Sequence, residues 1–355
     1  MKSNTSRDLC GIIYRKGGDE LNFTETMPVD LKVAKKTFSR IALALIAFLI
    51  SSYAVVIALE LAAAFFLPEG AYTYTISVVI SSLSMYGVGA PIFFLVVKKL
   101  PKDKSEGGNA LPKTLAVLFA ITMFFMYAGS LVGISASDLL ADKFGIYMAE
   151  NTLEVVSQIP WYIALVFAVI IGPFFEELIF RKLIIDRTAM YGEKLAILFS
   201  ALTFAFFHMS VQQLFYAFLV GLAFGYLYTR TRKMKYTYLL HALVNFVGTV
   251  IPILLNEYAG YEDILNSIAE SPDTALEIVS ANPIGYAVVT IYSVLYLGVI
   301  FFGMALFFRF IKKIHFNRAT LQLPKDSEAT VAFTPVFVIA YFAITVILPF
   351  VLSQI

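Results

Sequence analysis

The sequence predicts an all-α polytopic membrane protein, a bundle of about nine transmembrane helices, with eight possible. Its 355 residues are 59% hydrophobic and only 15% charged, and the mean hydropathy is +0.79. Soluble domains contain about 45–50% apolar and about 25% charged residues, so a soluble fold could not bury this much apolar surface. The apolar runs are long and continuous, which favours helices over the short alternating strands of a barrel.

Nine segments are candidates for membrane spans, because a helix needs about 20 mostly apolar residues to cross a bilayer. In chain order they are 41–67, 72–97, 114–134, 161–180, 195–209, 211–229, 236–255, 285–308 and 331–352. The run at 195–209 is short and is followed by a polar break. It therefore predicts a helix that ends inside the protein and forms the wall of a water-filled cavity.

The orientation follows from the connecting segments. Lysine and arginine concentrate in alternate connections, namely 32–40, 98–113, 181–194, 230–235 and 309–325. Cytoplasmic loops are enriched in these residues, so the N-terminus is predicted inside and the C-terminus outside. Residues 1–37 are read as a cytoplasmic tail without a cleavable signal peptide, and 38–355 as one transmembrane domain. The segments 137–157 and 257–282 are expected to form short amphipathic helices on the outer surface.

Composition also limits the partners. The single cysteine, Cys10, excludes an internal disulfide and a cysteine-based metal cluster. The net charge of +2 gives no sign of nucleic-acid binding, and no nucleic acid is expected as a partner. Membrane lipids are expected to surround the spans.

The fourth span ends in two adjacent carboxylates and an arginine. Ionisable groups are costly at this depth and usually mark a function. Glu177 and Arg181 are four residues apart and can pair along the helix. A structural ion pair at the membrane edge explains these two equally well, with Arg181 extending to water. Glu176 points about 100° away from Glu177 around the helix axis. The ion pair with Arg181 therefore does not explain why this second carboxylate is present.

Two histidines lie in apolar helices. His241 shares a helix face with Asn245, and His208 follows the fifth span. A lone histidine in such a helix is more often a packing residue. Two of them, with an asparagine and an unpaired glutamate, would cost several kcal/mol if left unconnected in lipid. Counting along the helices puts Glu176 and His241 each about 8 Å from the cytoplasmic face, but His208 about 20 Å deep.

These residue types can carry out hydrolysis. A carboxylate beside a histidine can deprotonate water, and histidine with asparagine can donate hydrogen bonds to an oxyanion. No serine-nucleophile elbow and no H-E-x-x-H motif is present. A zinc site formed by Glu176, His208 and His241 is chemically allowed, since catalytic zinc takes three protein ligands. The small residues Ala217, Gly221 and Gly225 predict close packing of span six instead.

Three short motifs lie in order on three predicted spans. They are E-E-x-x-x-R at Glu176–Arg181, F-x-x-x-H at Phe204–His208 and H-x-x-x-N at His241–Asn245. Together they resemble the CAAX protease and bacteriocin-processing family of intramembrane proteases, also called the Abi or type II CAAX protease family. The resemblance covers about 160–250, which would be the peptidase core.

The resemblance implies an α-helical intramembrane peptidase whose active site opens to the cytoplasm. It implies that Glu176 activates water with help from His208, that His241 and Asn245 hold the oxyanion, and that the site is supported by Glu177, Arg181 and Phe204. No metal or other cofactor is expected, with zinc as the alternative. The implied substrate is a peptide or membrane-associated protein, which in eukaryotic members carries a lipid. A prokaryotic cell membrane is the expected location.

Two other function classes compete with a peptidase. The runner-up is a non-catalytic binding, scaffold or bacteriocin-immunity protein of the same fold. A transporter that uses the glutamates as a proton relay ranks third, because transporters often contain inverted repeats and no internal repeat is visible.

Two polar groups lie outside the motifs. Glu60 is expected to pair within the bundle, and His315 is read as a surface residue.

Overall fold

The protein is described by a computed structural model, in which the described residues are 27–28, 30–68, 73–145, 158–271, 279–317, 321–324 and 326–352. The described chain is almost entirely helical, so the predicted fold class is confirmed. The helices are α1 (Leu31–Phe66), α2 (Tyr74–Val97), α3 (Pro112–Phe144), α4 (Trp161–Tyr191), α5 (Glu193–Phe207), α6 (Val211–Thr231), α7 (Met234–Ala259), α8 (Tyr261–Glu270), α9 (Pro283–Phe310), α10 (Glu328–Phe333) and α11 (Val336–Leu352).

Seven of these described helices are long and apolar enough to cross a membrane, which makes the chain a multi-pass membrane protein. They are α1, α2, α3, α4, α6, α7 and α9. The predicted number of about nine is near this count, and each of the nine predicted segments is helical over most of its described residues. The difference lies in α5, which has 15 residues, and α11, which has 17. The N-terminal orientation stays a prediction.

Several predicted boundaries were wrong. Helix α1 begins at Leu31, inside the predicted tail, because the Asp30 side chain accepts a hydrogen bond from Lys32 N at 2.8 Å and caps it. Helix α3 continues through residues 137–144 to Gly145, whose left-handed φ of 63° ends it. The predicted last span is interrupted at Thr334 and Pro335, between α10 and α11, because Pro335 has no backbone N–H with which to continue α10.

Other predictions fall at the margins of the described chain. Within the predicted segment 257–282, the described residues 257–270 are divided between the end of α7 and the separate helix α8, which meet at Gly260 with a φ of 69°. Residues 1–26, including Cys10, lie outside the described residues, as do 146–157 and 272–278. The described strands are the two-residue segments Met27–Pro28 and Leu321–Gln322, which pair in parallel.

Close helix packing around α6 depends on residues without side chains. A Cβ placed on Gly221 would lie 3.0 Å from the Cα of Ala201 in α5, and one on Gly225 would lie 3.1 Å from Ile197 Cγ2. On the other side of α6, Gly129 of α3 lies directly against the backbone of Tyr216. The small-residue stripe therefore packs helices together, as predicted.

A buried polar network joins several helix ends. Arg230, at the end of α6, pairs with Glu193, the first residue of α5, at 2.8 Å. Arg232 pairs with Asp103 of the α2–α3 connection at 2.7 Å. The Tyr228 hydroxyl donates to Asp186 Oδ1 at 2.8 Å. Three of the five cationic segments thus meet at one end of the bundle, which supports their placement on the same side of the membrane.

Four described segments are π-helical turns inside the spans: Met85–Gly89 in α2, Leu165–Ile171 and Glu177–Ile185 in α4, and Phe246–Val250 in α7. Three of them are followed two residues later by a proline, namely Pro91, Pro173 and Pro252. Proline cannot donate a backbone hydrogen bond, and local π geometry is one way in which a membrane helix accommodates it. These π-helical turns were not predicted from the sequence.

Candidate active site

Glu177 lies at the centre of a buried charged group. Its side chain is fully buried, and its Oε2 lies 3.3 Å from Arg181 Nε. Its Oε1 lies 2.9 Å from His241 Nδ1 in α7. The predicted pairing of Glu177 with Arg181 is therefore present. The same carboxylate also bonds to a residue 64 positions later, which the spacing along one helix could not indicate.

His241 lies between the two adjacent glutamates. Its Nδ1 faces Glu177, and its Nε2 lies 3.5 Å from Glu176 Oε2. An ionised carboxylate can only accept hydrogen bonds, so the contact with Glu177 places a proton on Nδ1. The Nε2 atom is then left to interact with Glu176 and with the space beside it. Glu176, which no residue of its own helix explained, thus has a polar contact with α7.

The Arg181 guanidinium is fully buried among aromatic rings. Its carbon lies 4.4 Å from the centre of the Phe204 ring and 5.6 Å from that of Phe224. Within the described chain its nitrogens make no hydrogen bond, so Glu177 and the two rings are its stabilising contacts. A cation over an aromatic face is stabilised by up to about 2 kcal/mol when desolvated. Phe224 was missed by the sequence analysis, because it has no feature that separates it from an ordinary apolar residue.

Asn245 is fixed by the backbone of α4. Its Nδ2 donates to the main-chain carbonyl of Ala168 at 2.8 Å. In the π-helical turn the Gly172 N–H bonds to the Phe167 carbonyl, five residues earlier. The next carbonyl in this register, that of Ala168, would meet Pro173, which has no N–H. Asn245 therefore supplies the missing donor and keeps its second N–H for the adjacent cavity.

A cavity of about 360 Å³ connects the predicted residues. Its lining includes the side chains of Glu176, His208, His241 and Asn245, together with Phe204. His208 therefore reaches the same space as Glu176, although counting residues placed it much deeper. Helix α4 continues past its predicted end at 180 to Tyr191, so Glu176 lies further from the cationic end of the bundle than the residue count indicated. The His208 ring also lies edge-on to Phe204 at 4.9 Å.

Further polar residues line this cavity and were not predicted to do so. They are Tyr86, Ser130, Gln213, Tyr216, Thr249 and Tyr296. Tyrosines inside otherwise apolar spans are a signal that could have been followed for Tyr86 and Tyr296. Glu60 and His315 lie outside this lining. Glu60 accepts a hydrogen bond from Ser77 at 2.9 Å, and His315 is exposed.

The donor set for a metal was tested on the same geometry. Across the described ranges, no group of three or more His, Cys, Asp and Glu side chains is arranged so that it could hold a metal ion. The two ring nitrogens of His241 instead contact Glu176 and Glu177. The zinc alternative stays open to a chelation experiment.

Comparison with known proteins addresses the same part of the chain. Residues 158–247 match the family model described as "Type II CAAX prenyl endopeptidase Rce1-like". This region is therefore similar to the type II CAAX protease family. The resemblance predicted from the three motifs is therefore confirmed, and the matched region contains all seven residues that the motifs single out.

One curated relative is similar to the chain over a longer stretch than the family model. The chain is 30% identical over 161 residues to a Bacillus subtilis (strain 168) protein named "Putative membrane peptidase YdiL". The match covers 43% of this chain and 64% of the relative, so the chain spans somewhat less than two thirds of that relative's length. No solved structure matches the chain.

Proposed function

We propose that the protein is an intramembrane endopeptidase in which Glu176 activates water to hydrolyse a peptide bond. The observation that carries this proposal is the position of His241 between Glu176 and Glu177, at the edge of a cavity that lies between the helices and is lined in part by polar side chains. A carboxylate, two histidines and an amide around one cavity supply the base and the hydrogen-bond donors that acyl hydrolysis needs. The family match and the name of the relative support the same reaction class.

In the proposed reaction, Glu176 carries one proton from the attacking water to the departing nitrogen. Glu176 takes a proton from water while the water oxygen bonds to the scissile carbonyl carbon, with His208 helping to orient the water. The carbonyl oxygen becomes an oxyanion. The C–N bond then breaks, and Glu176 returns its proton to the departing nitrogen. The products are a new carboxyl terminus and a new amino terminus, and no covalent enzyme intermediate forms.

His241 and Asn245 are proposed to stabilise the oxyanion. Glu176 and Glu177 carry two negative charges and Arg181 one positive charge, so an imidazolium at His241 makes the group neutral. Neutrality is favoured in a site removed from bulk water. In that form His241 donates through Nε2, while Nδ1 remains bonded to Glu177. Asn245 contributes the N–H that Ala168 does not use.

The substrate is proposed to be a peptide or a membrane-associated protein, which in some cases carries a lipid. Access is proposed from the cytoplasm of a prokaryotic cell. Glu176 lies ten residues before Asp186, which is at the cationic end of the bundle. This corresponds to a depth of about 15 Å for Glu176, deeper than the about 8 Å expected from the predicted end of span four. No metal is proposed to take part in the reaction.

The proposal is tested by comparing protein termini in membranes from cells that express the wild type, Glu176→Gln or Glu60→Gln. Glu60→Gln is the matched control, because it removes a membrane-embedded carboxylate that lies outside the cavity. New amino termini should disappear in Glu176→Gln and persist in the control. Identical termini in all three strains would contradict a peptidase and favour a binding, scaffold or immunity protein, particularly if the cellular phenotype also persists.

A further inference from the structure

Tyr86 contributes a hydroxyl to the cavity from outside residues 158–247, the region that matches the family model. It belongs to α2, whereas the family match begins at residue 158. Its ring is stacked on that of Phe175, with the ring centres 4.9 Å apart and the planes 12° apart. Phe175 directly precedes Glu176, so this stack fixes Tyr86 against the segment that carries the proposed base.

The hydroxyl of Tyr86 faces the part of α4 that has no side chain. A Cβ placed on Gly172 would lie 3.2 Å from Tyr86 Oη and 3.9 Å from Glu176 Oε1. Both oxygens therefore border the space that glycine leaves open. Across the part of the chain that the structure describes, no residue forms a hydrogen bond with the Tyr86 hydroxyl. Tyr86 and Glu176 both line the cavity that contains the other proposed site residues.

The two oxygens of Glu176 have different surroundings. Oε2 lies 3.5 Å from His241 Nε2, whereas Oε1 lies on the side of Gly172 and Tyr86. The oxygen that is free to take a proton from water is thus the one beside the Tyr86 hydroxyl. A phenol can donate and accept a hydrogen bond and is protonated at neutral pH.

The backbone supplies an independent indication. Tyr86 lies in the π-helical turn Met85–Gly89, and the turn Leu165–Ile171 ends directly before Gly172. Single π turns inside α-helices occur frequently at functional sites. The turns at 177–185 and 246–250 contain or directly follow the other proposed site residues. Each described π turn therefore adjoins this cavity, and the one in α2 does so through Tyr86.

We propose that Tyr86 Oη and Glu176 Oε1 hold the attacking water between them, so that Tyr86 is a water-positioning residue of the peptidase. This inference rests on the proposed function. It assigns a role to a helix that the family motifs do not include. Removing the hydroxyl leaves the substrate contacts in place but lets the water move, so the chemical step slows while substrate binding is retained.

The test uses the purified full-length protein in lipid vesicles and a synthetic peptide that spans a wild-type-dependent cleavage site. Tyr86→Phe keeps the ring stacked on Phe175 and removes only the hydroxyl. We expect kcat to fall about tenfold with KM unchanged, the effect of losing about one hydrogen bond in the transition state. Tyr74→Phe, at the first residue of the same helix, is the matched control and should leave kcat and KM unchanged.

A double variant separates a role in positioning water from a structural role. Glu176→Asp withdraws the carboxylate from the shared water. If both groups hold that water, Tyr86→Phe should slow Glu176→Asp much less than it slows the wild type. A wild-type kcat for Tyr86→Phe, an effect on KM alone, or the same fold loss in both backgrounds would overturn the inference.

Failure of this inference can be told apart from failure of the proposed function. If Glu176→Gln cleaves the peptide as fast as the wild type, Glu176 is not the catalytic base and the proposed function is wrong. Tyr86 then has no attacking water to position. If Glu176→Gln is inactive and Tyr86→Phe matches the wild type, only the assignment of Tyr86 is wrong. The thermal unfolding midpoint of each variant is measured in the same vesicles, and a wild-type midpoint shows that Tyr86→Phe has not acted by unfolding the protein.

Discussion

Asn245 donates its side-chain N–H to the main-chain carbonyl of Ala168 at 2.8 Å. This bond joins α7 to α4 at the carbonyl that Pro173 leaves without a backbone donor. A similar relationship recurs in α7, where Pro252 follows a π-helical turn and the Tyr292 hydroxyl donates to the Val247 carbonyl at 3.3 Å. In both places a proline creates an acceptor and a side chain from another helix occupies it.

The bond between Asn245 and Ala168 predicts a consequence for Pro173→Ala. Alanine supplies an N–H that can bond to the Ala168 carbonyl and compete with Asn245. The amide would then be less well fixed beside the oxyanion position, and we expect kcat/KM to fall about fivefold, as for the loss of about 1 kcal/mol. Pro349→Ala in α11, another proline inside a helix, is the control. Unchanged peptide cleavage by Pro173→Ala would contradict this role for Asn245.

The three histidines allow a comparison within one chain. His208→Ala and His241→Ala should each lower kcat by about 10²-fold or more, because each removes a group that orients water or stabilises charge. His315→Ala should have no effect, since His315 is exposed and lies outside the cavity. The three variants are compared by single-turnover cleavage of the same peptide. An active His241→Ala protein would show that the contact between His241 and the glutamates is only structural.

The environment of Arg181 predicts a difference in stability. Phe204→Leu removes the ring at 4.4 Å from the guanidinium carbon, and Phe199→Leu removes a buried ring of the same helix that does not contact a cation. Both variants lose packing. Phe204→Leu should lower the free energy of unfolding by about 1–2 kcal/mol more, because it also leaves a buried cation without its nearest ring. Equal losses in a detergent-unfolding titration would show that the cation–π contact is not stabilising.

Metal dependence is tested by chelation. Under the proposed mechanism, cleavage by the purified protein should persist after dialysis against a strong zinc chelator, since Glu176 itself generates the nucleophile. The parallel measurement is the metal content of the dialysed protein. Loss of cleavage on chelation, restored by added zinc, would instead favour the site formed by Glu176, His208 and His241.

The sequence predicted the helical spans and the pairing of Glu177 with Arg181, because both depend on local properties of the chain. Long apolar runs determine spans such as 72–97, and a spacing of four residues determines pairs such as Glu177 and Arg181. The family motifs indicated which histidines belong together. Each of these inferences requires only the sequence near the residue concerned or the motifs of a known family.

The remaining features depend on contacts between distant segments. The bond from Glu177 to His241 and the approach of Tyr86 to Glu176 require the relative placement of α2, α4 and α7, which hydropathy does not encode. The difference in depth between Glu176 and His208 was overestimated because the predicted fourth span ended at 180, whereas α4 continues to Tyr191. The π turns before Pro91, Pro173 and Pro252 had a local signal, a proline inside an apolar span, but proline allows a kink or a break as well.

The most direct test of the account is the rate at which purified Glu176→Gln and Glu60→Gln proteins, each in lipid vesicles, cleave one peptide that the wild type cleaves. Both variants replace a membrane-embedded carboxylate by its neutral isostere, but only Glu176 borders the cavity and contacts His241. The account predicts that Glu60→Gln cleaves at the wild-type rate and that Glu176→Gln does not cleave above background. Cleavage by Glu176→Gln at the wild-type rate would contradict it.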